Sequence, residues 1–466
     1  MAFFRNILMN LPEVSAPVHK VGFNEKLKWT GIILVAFFVL SAVPLFGLGQ
    51  NALQQFESLA IILASSFGSI LSLGIGPIVT ASIVLQLLVG SGILRIDMTT
   101  HEGRRTFQGL QKILSIFFIV FESSIFVFMG GLAPSTTLVA DSYRLMQFIL
   151  AFQLFLGGVM VLYMDEVISK WGFGSGVSLF IAAGVAQQIF IRAFSPLTAT
   201  GNWAFGSGQP PVGSILVLVI SLVRGDPRGA SLAFAAILAT ILVFLLAVYA
   251  QSMKVEIPLS FGKVRGYGIR WPLKFLYTSN IPVILIAALM ANIQLWASLL
   301  ERTGRPFLGT FTNGIPTSGL DTWFFPPDII RNLLTGAFTR IDLYHATVYA
   351  LIMIIGAIVF SIFWVQTAGM DARSQARQIM ASGLQIPGFR RDERVLESVL
   401  SRYILPLTVM GAIAVGFLAA LADLTGALSR GTGILLAVMI IYNLYESVAQ
   451  QHMMDMYPGL RKVMGE

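Results

Sequence analysis

Glu122 is the clearest ionisable residue within the long apolar runs of this chain, and it lies near the centre of the third run. An acidic group in the middle of a membrane-spanning helix costs roughly 2.5 to 3.5 kcal/mol on insertion scales, so it should face protein or water rather than lipid. Thr80 in the second run and Asn292 in the seventh are the polar side chains best suited to pair with it. The three form either a functional polar cluster or an ordinary interhelical hydrogen bond.

The remaining residues do not form an enzyme-like pattern. No HExxH motif is present, and the Gly-Lys pair at 262–263 is followed by valine, so there is no phosphate-binding GxxxxGK[ST] loop. A GxGxG string at 172–176 does not follow a strand of a βαβ unit, which favours close helix packing or a bend over nucleotide binding. The chain contains no cysteine, which excludes disulfides and thiolate metal sites. We expect neither enzymatic activity nor a cofactor. The histidines are scattered: His19, His101, His345 and His452.

Composition identifies the elements that must position these residues. Of the 466 residues, 56% are hydrophobic and 12% are charged, and the mean hydropathy of +0.78 is typical of a polytopic membrane protein. One further apolar run, 211–223, has only 13 residues and is short for a span. Ten runs are long enough to cross a bilayer: 29–46, 75–93, 113–132, 145–164, 177–194, 231–250, 281–300, 344–366, 403–421 and 431–445.

The distribution of basic residues predicts the topology. With ten spans and a cytosolic N-terminus, 22 of the 31 Lys and Arg residues fall on the cytosolic side and 9 on the outer side. This is the asymmetry expected of a membrane protein. If the run at 211–223 also crossed, this asymmetry would collapse. We therefore expect that run on the outer surface and both termini in the cytosol.

The second apolar region, Phe56 to Leu94, is too long for one span and is interrupted near its middle. Glycine weakens a helix and proline removes a backbone donor, so the sequence predicts a half-helix to about Phe67, an irregular link, and a second helix from Ile75 onward. Irregular backbone is tolerated at membrane depth only when it is buried in protein or lines a cavity. We therefore expect a cavity beside residues 68 to 80. The interrupting residues are Gly68, Gly74, Gly76 and Pro77.

Two predicted cytosolic loops, 254–275 and 369–403, combine basic residues with aromatic residues and Gly or Pro turns. This composition suits contact with a phosphate backbone through ion pairs and stacking. Basic cytosolic loops also serve as topology signals or contact anionic lipid. The length of the second loop exceeds what a topology signal requires.

The chain resembles the SecY family of protein-conducting channel subunits in its archaeal form. The matching stretches follow the family's order along nearly the whole chain, except for the outer loops at 195–230 and 301–343. They are GIGPIVTASIVLQLLVGSGIL from Gly74, FQGLQKILSI from Phe107, DEVISKWGFGSGVSLFIAAGVAQQIF from Asp165, VEIPL from Val255, SNIPVILIAALMANIQLW from Ser279, the FW-Q-TAG-D segment from Phe363, GFRRDE from Gly388 and ILPLTVMGAIAVGFLAALADLTGAL from Ile404.

This resemblance implies an all-α integral membrane protein of ten transmembrane helices. They would form two pseudo-symmetric five-helix halves, 1–225 and 226–466, around an hourglass pore. A re-entrant plug half-helix at about 54–69 would lie beneath the waist, with plug positions Phe56, Leu59, Ile62, Ser66 and Gly68. Phe173 is larger than the aliphatic residue of the family pattern. The positions that match the apolar pore ring are Ile75, Val79, Phe173, Val177, Ile284 and Leu436.

The resemblance also implies functional roles for the polar residues. Thr80, Glu122 and Asn292 match the polar cluster of a lateral gate, through which signal sequences and membrane helices would enter lipid. The loops at about 254–278 and 369–402 match those that dock the ribosome. The candidate ribosome-binding residues are Lys263, Arg265, Arg270, Arg373, Arg377, Arg390, Arg391 and Arg394.

The implied function is passage of unfolded secretory polypeptides across the membrane and insertion of membrane helices. The channel would be passive and driven by the ribosome, with no cofactor, metal or DNA. Its partners would be SecE-type (gamma) and beta subunits in a heterotrimer, a nascent polypeptide with its signal sequence, and membrane lipids. The expected location is the archaeal plasma membrane, in preference to the endoplasmic reticulum.

Two alternative functions differ from this one in what they predict. A secondary solute transporter also uses helices broken at the membrane midplane, and predicts saturable solute uptake that depends on Glu122. A scaffold that only binds ribosomes would leave the broken second span unexplained.

Overall fold

A computed structural model describes most of the chain. The described residues are 12–19, 21–51, 63–94, 96, 100–135, 139–198, 202–205, 209–261, 268–304, 306–312, 314–381, 384–385, 392–429 and 431–456.

The described part of the chain is dominated by α-helices, and each of the ten predicted spans coincides with one of them. Eight of these helices are long and apolar enough to cross a membrane. The others are α1, whose first turns carry charged residues, and α2, which is only 15 residues long. The helices are α1 (Phe23–Ala42), α2 (Gly76–Gly90), α3 (His101–Phe128), α4 (Ala140–Trp171), α5 (Gly176–Phe194), α6 (Ser214–Arg224), α7 (Pro227–Ser252), α8 (Ile281–Arg302), α9 (Ile329–Thr335), α10 (Arg340–Thr367), α11 (Ala372–Ala381), α12 (Glu393–Leu424) and α13 (Gly431–Met456).

The predicted break in the second span is confirmed, although the half-helix before it does not extend as far as predicted. Residues 63–75 form turns and bends, and α2 begins at Gly76 with Pro77 in its first turn. Where we expected helix to about Phe67, Ala64 has a φ of 45° and the Ile75 amide donates to the Leu63 carbonyl at 2.8 Å. A left-handed residue and this closing hydrogen bond end regular helix before Phe67. The earlier part of the predicted half-helix, 54–62, lies outside the described residues.

The glycine at the end of this link is required by its surroundings. Gly74 has a φ of 54°, and a Cβ atom there would lie 2.3 Å from the Leu63 carbonyl oxygen. Because only glycine combines this conformation with so close an approach, the link can fold tightly before α2 begins.

Helix α6 has 11 residues and corresponds to the short apolar run. At 1.5 Å per residue it is about 16 Å long, roughly half the hydrocarbon thickness of a bilayer, so it is too short to cross. Gly225, in the left-handed conformation, ends α6, and the Asp226 side chain accepts a hydrogen bond from the Arg228 amide at 3.2 Å to cap α7. The two helices therefore form a tight hairpin.

Small antiparallel sheets form in the connections, which the sequence reasoning did not anticipate. Strands β1 (Leu48–Asn51) and β2 (Leu132–Pro134) pair, as do β5 (Gly309–Thr312) and β6 (Ile315–Gly319). Strand β3 (Lys254–Phe261) pairs on one side with β4 (Gly268–Lys274) and on the other with β7 (Leu384–Gln385). The third sheet therefore joins the two basic loops. We call the end of the helical bundle that carries it the hairpin face.

A second buried cluster supports the hairpin face. It is separate from the large core between the long helices and brings together residues of β3, β4, α11 and α12, among them Ile257, Leu273 and Leu400. The Tyr277 hydroxyl donates to the Met370 carbonyl at 2.7 Å, which ties the end of the first basic loop to the start of the second. Burial raises the pKa of the Tyr277 phenol well above its usual range, so the phenol keeps the proton that it donates.

An extended N-terminal segment, Pro12–Ser15, lies across the C-terminal end of α4 and the first half of α3, and we call it the strap. Buried Lys112 of α3 binds both the Pro12 carbonyl, at 2.6 Å, and the carboxylate of Glu166 in α4. The Val14 amide donates to Glu166 at 3.0 Å, and the Trp171 indole donates to the Ser15 carbonyl at 2.9 Å. The strap thus completes a charged network between two helices.

The outer edge of the strap is held by a weaker ion pair. The Lys170 ammonium lies 3.1 Å from the Glu13 carboxylate, whose side chain is 64% exposed. The hydrogen bond from Lys170 lowers the pKa of the Glu13 carboxyl. Because solvent screens this pair, it contributes less than the pair of Lys112 and Glu166.

We predict that Lys112→Met lowers the free energy of unfolding by about 3 kcal/mol, because it leaves the Glu166 carboxylate, whose side chain is only 17% exposed, without its charge partner. The double variant Lys112→Met/Glu166→Met should recover most of this loss, since no unpaired charge remains. Denaturation of the purified full chain in detergent, followed by tryptophan fluorescence, measures both. Glu13→Gln is the control and should change stability by less than about 1 kcal/mol. A double variant less stable than Lys112→Met would contradict this account.

Candidate functional site

Four helices, α2, α5, α8 and α13, bring most of the predicted ring residues into one buried cluster. Helix α8 packs against α2 and α13, and α13 packs against α5. Ile75, Val79, Ile284 and Leu436 are each at most 5% exposed and belong to one hydrophobic cluster, against which partly buried Val177 packs. The side chains are branched and apolar, so this site has no group with which to hold an ion or a polar solute.

The structure places Phe173 at the border of that cluster rather than inside it. Its amide donates to the Thr30 hydroxyl at 3.1 Å, and its ring centroid lies 5.5 Å from that of Phe23. The Lys26 ammonium is 5.8 Å from the centre of the same ring. Phe173 therefore packs against α1. Its role in the ring stays a prediction.

Asp165 of α4 positions the turn that carries Phe173. Its carboxylate accepts a hydrogen bond from the Val177 amide at 2.9 Å and so caps the start of α5. A Cβ atom on Gly176 would lie 2.6 Å from the Asp165 Cα, and one on Gly172 would lie 2.8 Å from the Thr30 hydroxyl oxygen. Gly172 and Gly176 therefore pack closely, whereas a Cβ atom on Gly174 would meet nothing within 4 Å and its φ of 74° serves the turn, so the string combines close packing with a bend. Sequence reasoning missed Asp165, although it stands shortly before that string.

Thr80, Glu122 and Asn292 meet in the buried interior, as predicted. The Asn292 amide donates to the Thr80 hydroxyl oxygen at 2.8 Å, and that hydroxyl lies 3.3 Å from the Glu122 carboxyl. The three side chains are 7%, 2% and 4% exposed. Thr80 also donates to the Gly76 carbonyl at 2.8 Å, so its single proton is shared between two acceptors. This polar cluster connects α2 and α3 to α8.

The polar cluster lies in a seam between two groups of helices. Helix α2 packs against α3 on one side and against α8 and α10 on the other. A Cβ atom on Gly90 would lie 2.4 Å from the Phe363 ring of α10, so the backbone of α2 approaches that helix closely. The contact between Thr80 and Asn292 is a hydrogen bond that crosses this seam.

Only the end of the predicted plug lies within the described residues. The Gly68 amide donates to the Ser72 hydroxyl at 2.9 Å, and the Gly68 carbonyl accepts from the Leu45 amide at 2.9 Å. The Ser66 carbonyl accepts from the hydroxyls of Ser69 and Ser72. This end is therefore tied to the link before α2. The plug positions Phe56, Leu59 and Ile62 lie outside the described residues.

The described basic residues of the predicted ribosome site lie on the hairpin face. Arg377 lies 2.7 Å from the Glu393 carboxylate, and Arg373 lies 4.0 Å from the same oxygen. Both arginines are nevertheless exposed, as is Arg394 at the start of α12. The backbone of Arg270 belongs to β4. The remaining candidates lie outside the described residues: Lys263, Arg265, Arg390 and Arg391.

A further charged network joins the sheet of the hairpin face to α13. Lys274 of β4 forms an ion pair with Glu446, whose other oxygen is 3.7 Å from Lys254 of β3. Lys274 also reaches the Asn443 side-chain oxygen at 3.4 Å. Sequence reasoning missed this network because its members lie about 170 positions apart and share no local pattern.

At the opposite end of the bundle, buried Asp423 accepts hydrogen bonds from the Tyr349 hydroxyl at 2.7 Å and the Thr432 amide at 2.8 Å. A cavity of about 480 Å³ beside it carries both basic and acidic side chains. Within the described ranges, no group of three or more His, Asp or Glu residues is arranged to hold a metal.

Comparison with known proteins identifies the family. The sequence model of SecY matches residues 69–445, and that of the plug domain of Sec61p matches residues 35–68. The protein translocase subunit SecY of Methanothermobacter thermautotrophicus is 46% identical, with 99% of this chain and 98% of that protein covered. The SecY of Methanocaldococcus jannaschii is 42% identical, with 99% of each covered.

Solved structures agree in fold. One described as the structure of a protein conducting channel has a TM-score of 0.83 and 43% identity, covering 97% of this chain and 98% of that one. Another, of Sec61 in a canine ribosome-channel complex from the endoplasmic reticulum, has a TM-score of 0.80, 42% identity and the same coverage. Because the SecY model matches most of the chain and relatives of more than 40% identity match it over nearly its full length, this chain belongs to the SecY family.

Proposed function

We propose that this chain is the channel-forming subunit of a protein translocase, which passes unfolded secretory polypeptides across a membrane and releases apolar segments sideways into lipid. The observation that carries the proposal is a buried cluster of branched apolar side chains, contributed by four helices, beside a hydrogen-bonded seam. The names of the archaeal relatives and of the protein-conducting channel structure support it. The chain itself is a channel subunit rather than an enzyme.

The ring would seal the channel at rest and open when a polypeptide passes through it. A narrow apolar constriction dewets and so blocks ions. The ring residues belong to one buried apolar cluster, and their side chains offer no fixed hydrogen bonds that a passing chain must break. They are Ile75, Val79, Ile284 and Leu436. The predicted ring also includes Phe173, and its contacts with α1 would let the ring edge move with that helix.

The polar cluster would set how readily the lateral seam opens. Burial of an apolar segment in lipid gains roughly 25 cal/mol for each Å² removed from water. This gain must exceed the cost of separating Asn292 from Thr80. A neutral hydrogen bond inside a membrane protein contributes only about 1 kcal/mol, so the seam can open for segments of moderate hydrophobicity.

The plug would close the channel beneath the ring. The match of residues 35–68 to the plug domain supports this assignment. The hydrogen bonds that hold Ser66 and Gly68 to the link give the segment a fixed attachment point. The segment could then leave the pore without unfolding α2, since the link rather than a spanning helix absorbs the motion.

The hairpin face would dock the ribosome. The neighbouring structure of Sec61 in a ribosome-channel complex supports a ribosomal partner. The sheet that joins β3, β4 and β7 places both basic loops on one surface, where exposed Arg373, Arg377 and Arg394 could contact the phosphates of ribosomal RNA. The ribosome would supply the driving force. This role puts the hairpin face, and with it both chain termini, in the cytosol.

The remaining features of the assembly follow from the family. The halves would be 1–225 and 226–466, held together by a SecE-type (gamma) subunit, with a small beta subunit completing a heterotrimer. Membership among archaeal relatives supports the plasma membrane as the location of this multi-pass protein.

Photocrosslinking from position 79 tests the function directly. Val79→benzoylphenylalanine in membranes that contain the partner subunits should crosslink to a ribosome-arrested nascent chain carrying a signal sequence. The crosslink should disappear after puromycin releases the chain. A probe at Ile241, which is exposed on the lipid side of α7, is the matched control and should not react. Absence of a crosslink from position 79, together with saturable uptake of a small solute, would support a transporter instead.

Val79→Gly or Ile284→Gly should raise the resting ion conductance of the channel several-fold, because each removes a branched side chain from the constriction. Single-channel recording in planar bilayers measures the effect. Val243→Gly is the control, since this residue is equally buried in α7 but lies outside the ring. An equal increase in the control, or no increase in either ring variant, would contradict the assignment.

Asn292→Ala should lower the hydrophobicity that a model segment needs for membrane insertion, by about 1 kcal/mol of apparent insertion free energy. The reason is that the seam then loses its hydrogen bond to Thr80. A series of segments with increasing leucine content, scored for insertion in membranes, measures this threshold. Asn202→Ala, on an exposed connection, should leave it unchanged. A raised or unaltered threshold in Asn292→Ala would show that the polar cluster does not hold the seam closed.

A further inference from the structure

A small cavity lies beside the pore ring on the side of the hairpin face. Its volume is about 120 Å³, the space of roughly four water molecules. Two helices that carry ring residues, α5 and α13, line it together with Asn280, which directly precedes α8. The residues that line it are Phe173, Gly174, Ser175, Ser178, Leu179, Asn280, Ile440, Asn443, Leu444 and Ser447.

The cavity adjoins the predicted ring: Phe173 lines it, Ser178 follows Val177 directly, and on the other two sides it is one helical turn away. Asn280 precedes the ring residue Ile284 by four positions, and Ile440 follows Leu436 by four positions. Four residues of helix rise about 6 Å. Continuing along α13 leads to Glu446, which binds Lys274 of the hairpin face. A polypeptide that enters from the hairpin face would therefore pass this cavity immediately before it reaches the ring.

A series of hydrogen bonds fixes the orientation of the Asn280 amide at the edge of the cavity. Lys274 can only donate, so the atom of Asn443 that it reaches, at 3.4 Å, is the oxygen. The Asn443 amide nitrogen then donates to the Ser279 hydroxyl at 2.7 Å. The proton of that hydroxyl is left to donate to the Asn280 side-chain oxygen, at 3.0 Å. The hydrogen bonds that begin at Lys274 therefore determine which side-chain atom of Asn280 is the oxygen and which is the nitrogen.

The Asn280 side-chain nitrogen, at the end of this series of hydrogen bonds, donates to no partner among the described residues. Asn280 is only 5% exposed, and its Nδ2 atom has no hydrogen-bond partner among the described residues. A buried donor without a partner is costly, and native proteins keep few of them. Asn280 also precedes the first residue of α8 without capping it. Because Asn280 lines the cavity, an occupant of the cavity could supply the missing partner.

We infer that the cavity is a binding site for the main chain of the translocating polypeptide, and that the Asn280 amide donates a hydrogen bond to one of its carbonyl oxygens. This inference rests on the proposed function. The side chains that line the cavity are all uncharged, which disfavours an ion. A carbonyl oxygen recurs in every residue of any sequence, at intervals of about 3.3 to 3.6 Å along an extended chain. One neutral hydrogen bond can thus be made and broken at each step.

Backward sliding of an arrested chain tests the inference. A ribosome-arrested polypeptide is first engaged in the full-length channel in native membranes and then released with puromycin. The half-time with which the polypeptide slides back out of the channel towards the hairpin face is measured. Asn280→Ala and Asn280→Asp both remove the donor, and each should shorten this half-time roughly two- to tenfold. Asp retains the acceptor for Ser279, so the pair separates loss of the donor from loss of packing. Asn202→Ala is the control and should match the unaltered channel.

An ester in the polypeptide provides a second readout. Replacing one residue of the arrested chain by its α-hydroxy acid weakens a carbonyl as an acceptor. The ester should accelerate backward sliding only when it lies at the cavity, and only with Asn280 present. A loss of folding in the variants would not produce this dependence on position in the unaltered channel.

The outcomes separate this inference from the proposed function. If arrested chains crosslink to position 79, yet neither the Asn280 variants nor the ester changes backward sliding, the cavity holds water only and the inference is overturned while the channel function stands. If no chain crosslinks to position 79 of the unaltered channel, the proposed function is wrong and the inference falls with it.

Discussion

Backbone amide and carbonyl groups cannot face lipid without hydrogen-bond partners, and this constraint governs the structure around the broken second span. The link at 63–75 has no regular helix to satisfy these groups. Its amides and carbonyls instead pair within the link and with the end of α1, as in the bond from the Ile70 amide to the Val43 carbonyl at 3.0 Å. Helix α4 covers the link so closely that a Cβ atom on Gly157 would lie 2.0 Å from the Ile70 carbonyl oxygen. The neighbouring helices therefore enclose this irregular segment.

Polar contacts in the interior then determine which boundaries between helices can open. The predicted ring residues have only apolar side chains, and a ring of this kind would close by non-directional contact and yield to a chain of any sequence. The seam between α2 and α8 depends on the small polar cluster around Thr80. At the hairpin face, by contrast, paired charges such as Lys112 with Glu166 hold α3 and α4 together. Because loss of one charge from a buried pair costs more than loss of a neutral hydrogen bond, the seam is the weaker boundary.

A continuous set of contacts links the hairpin face to the residues beside the predicted ring. Pairing of β3 with β7 joins two loops that are more than 100 residues apart. Lys274 at the end of β4 binds Glu446 and Asn443 of α13, and the hydrogen bonds continue to Asn280 beside the ring. A partner that moves the sheet therefore acts on polar groups one helical turn from the ring.

The sequence by itself determined the membrane class, the ten spans, the break near Gly74 and the failure of α6 to cross. Each of these depends on local properties: hydropathy over about 20 residues, the backbone effects of glycine and proline, and the length of a run. The cluster of Thr80, Glu122 and Asn292 was also predictable, since polar residues are rare in apolar helices and must find one another. Only the tertiary structure decided that Asp165 caps α5, that Phe173 packs against α1, that helix ends before Phe67, and that Lys274 reaches Asn443. These contacts join residues that are far apart in the sequence or depend on a single backbone conformation, and no periodic pattern along the chain records which side chains will meet across the bundle.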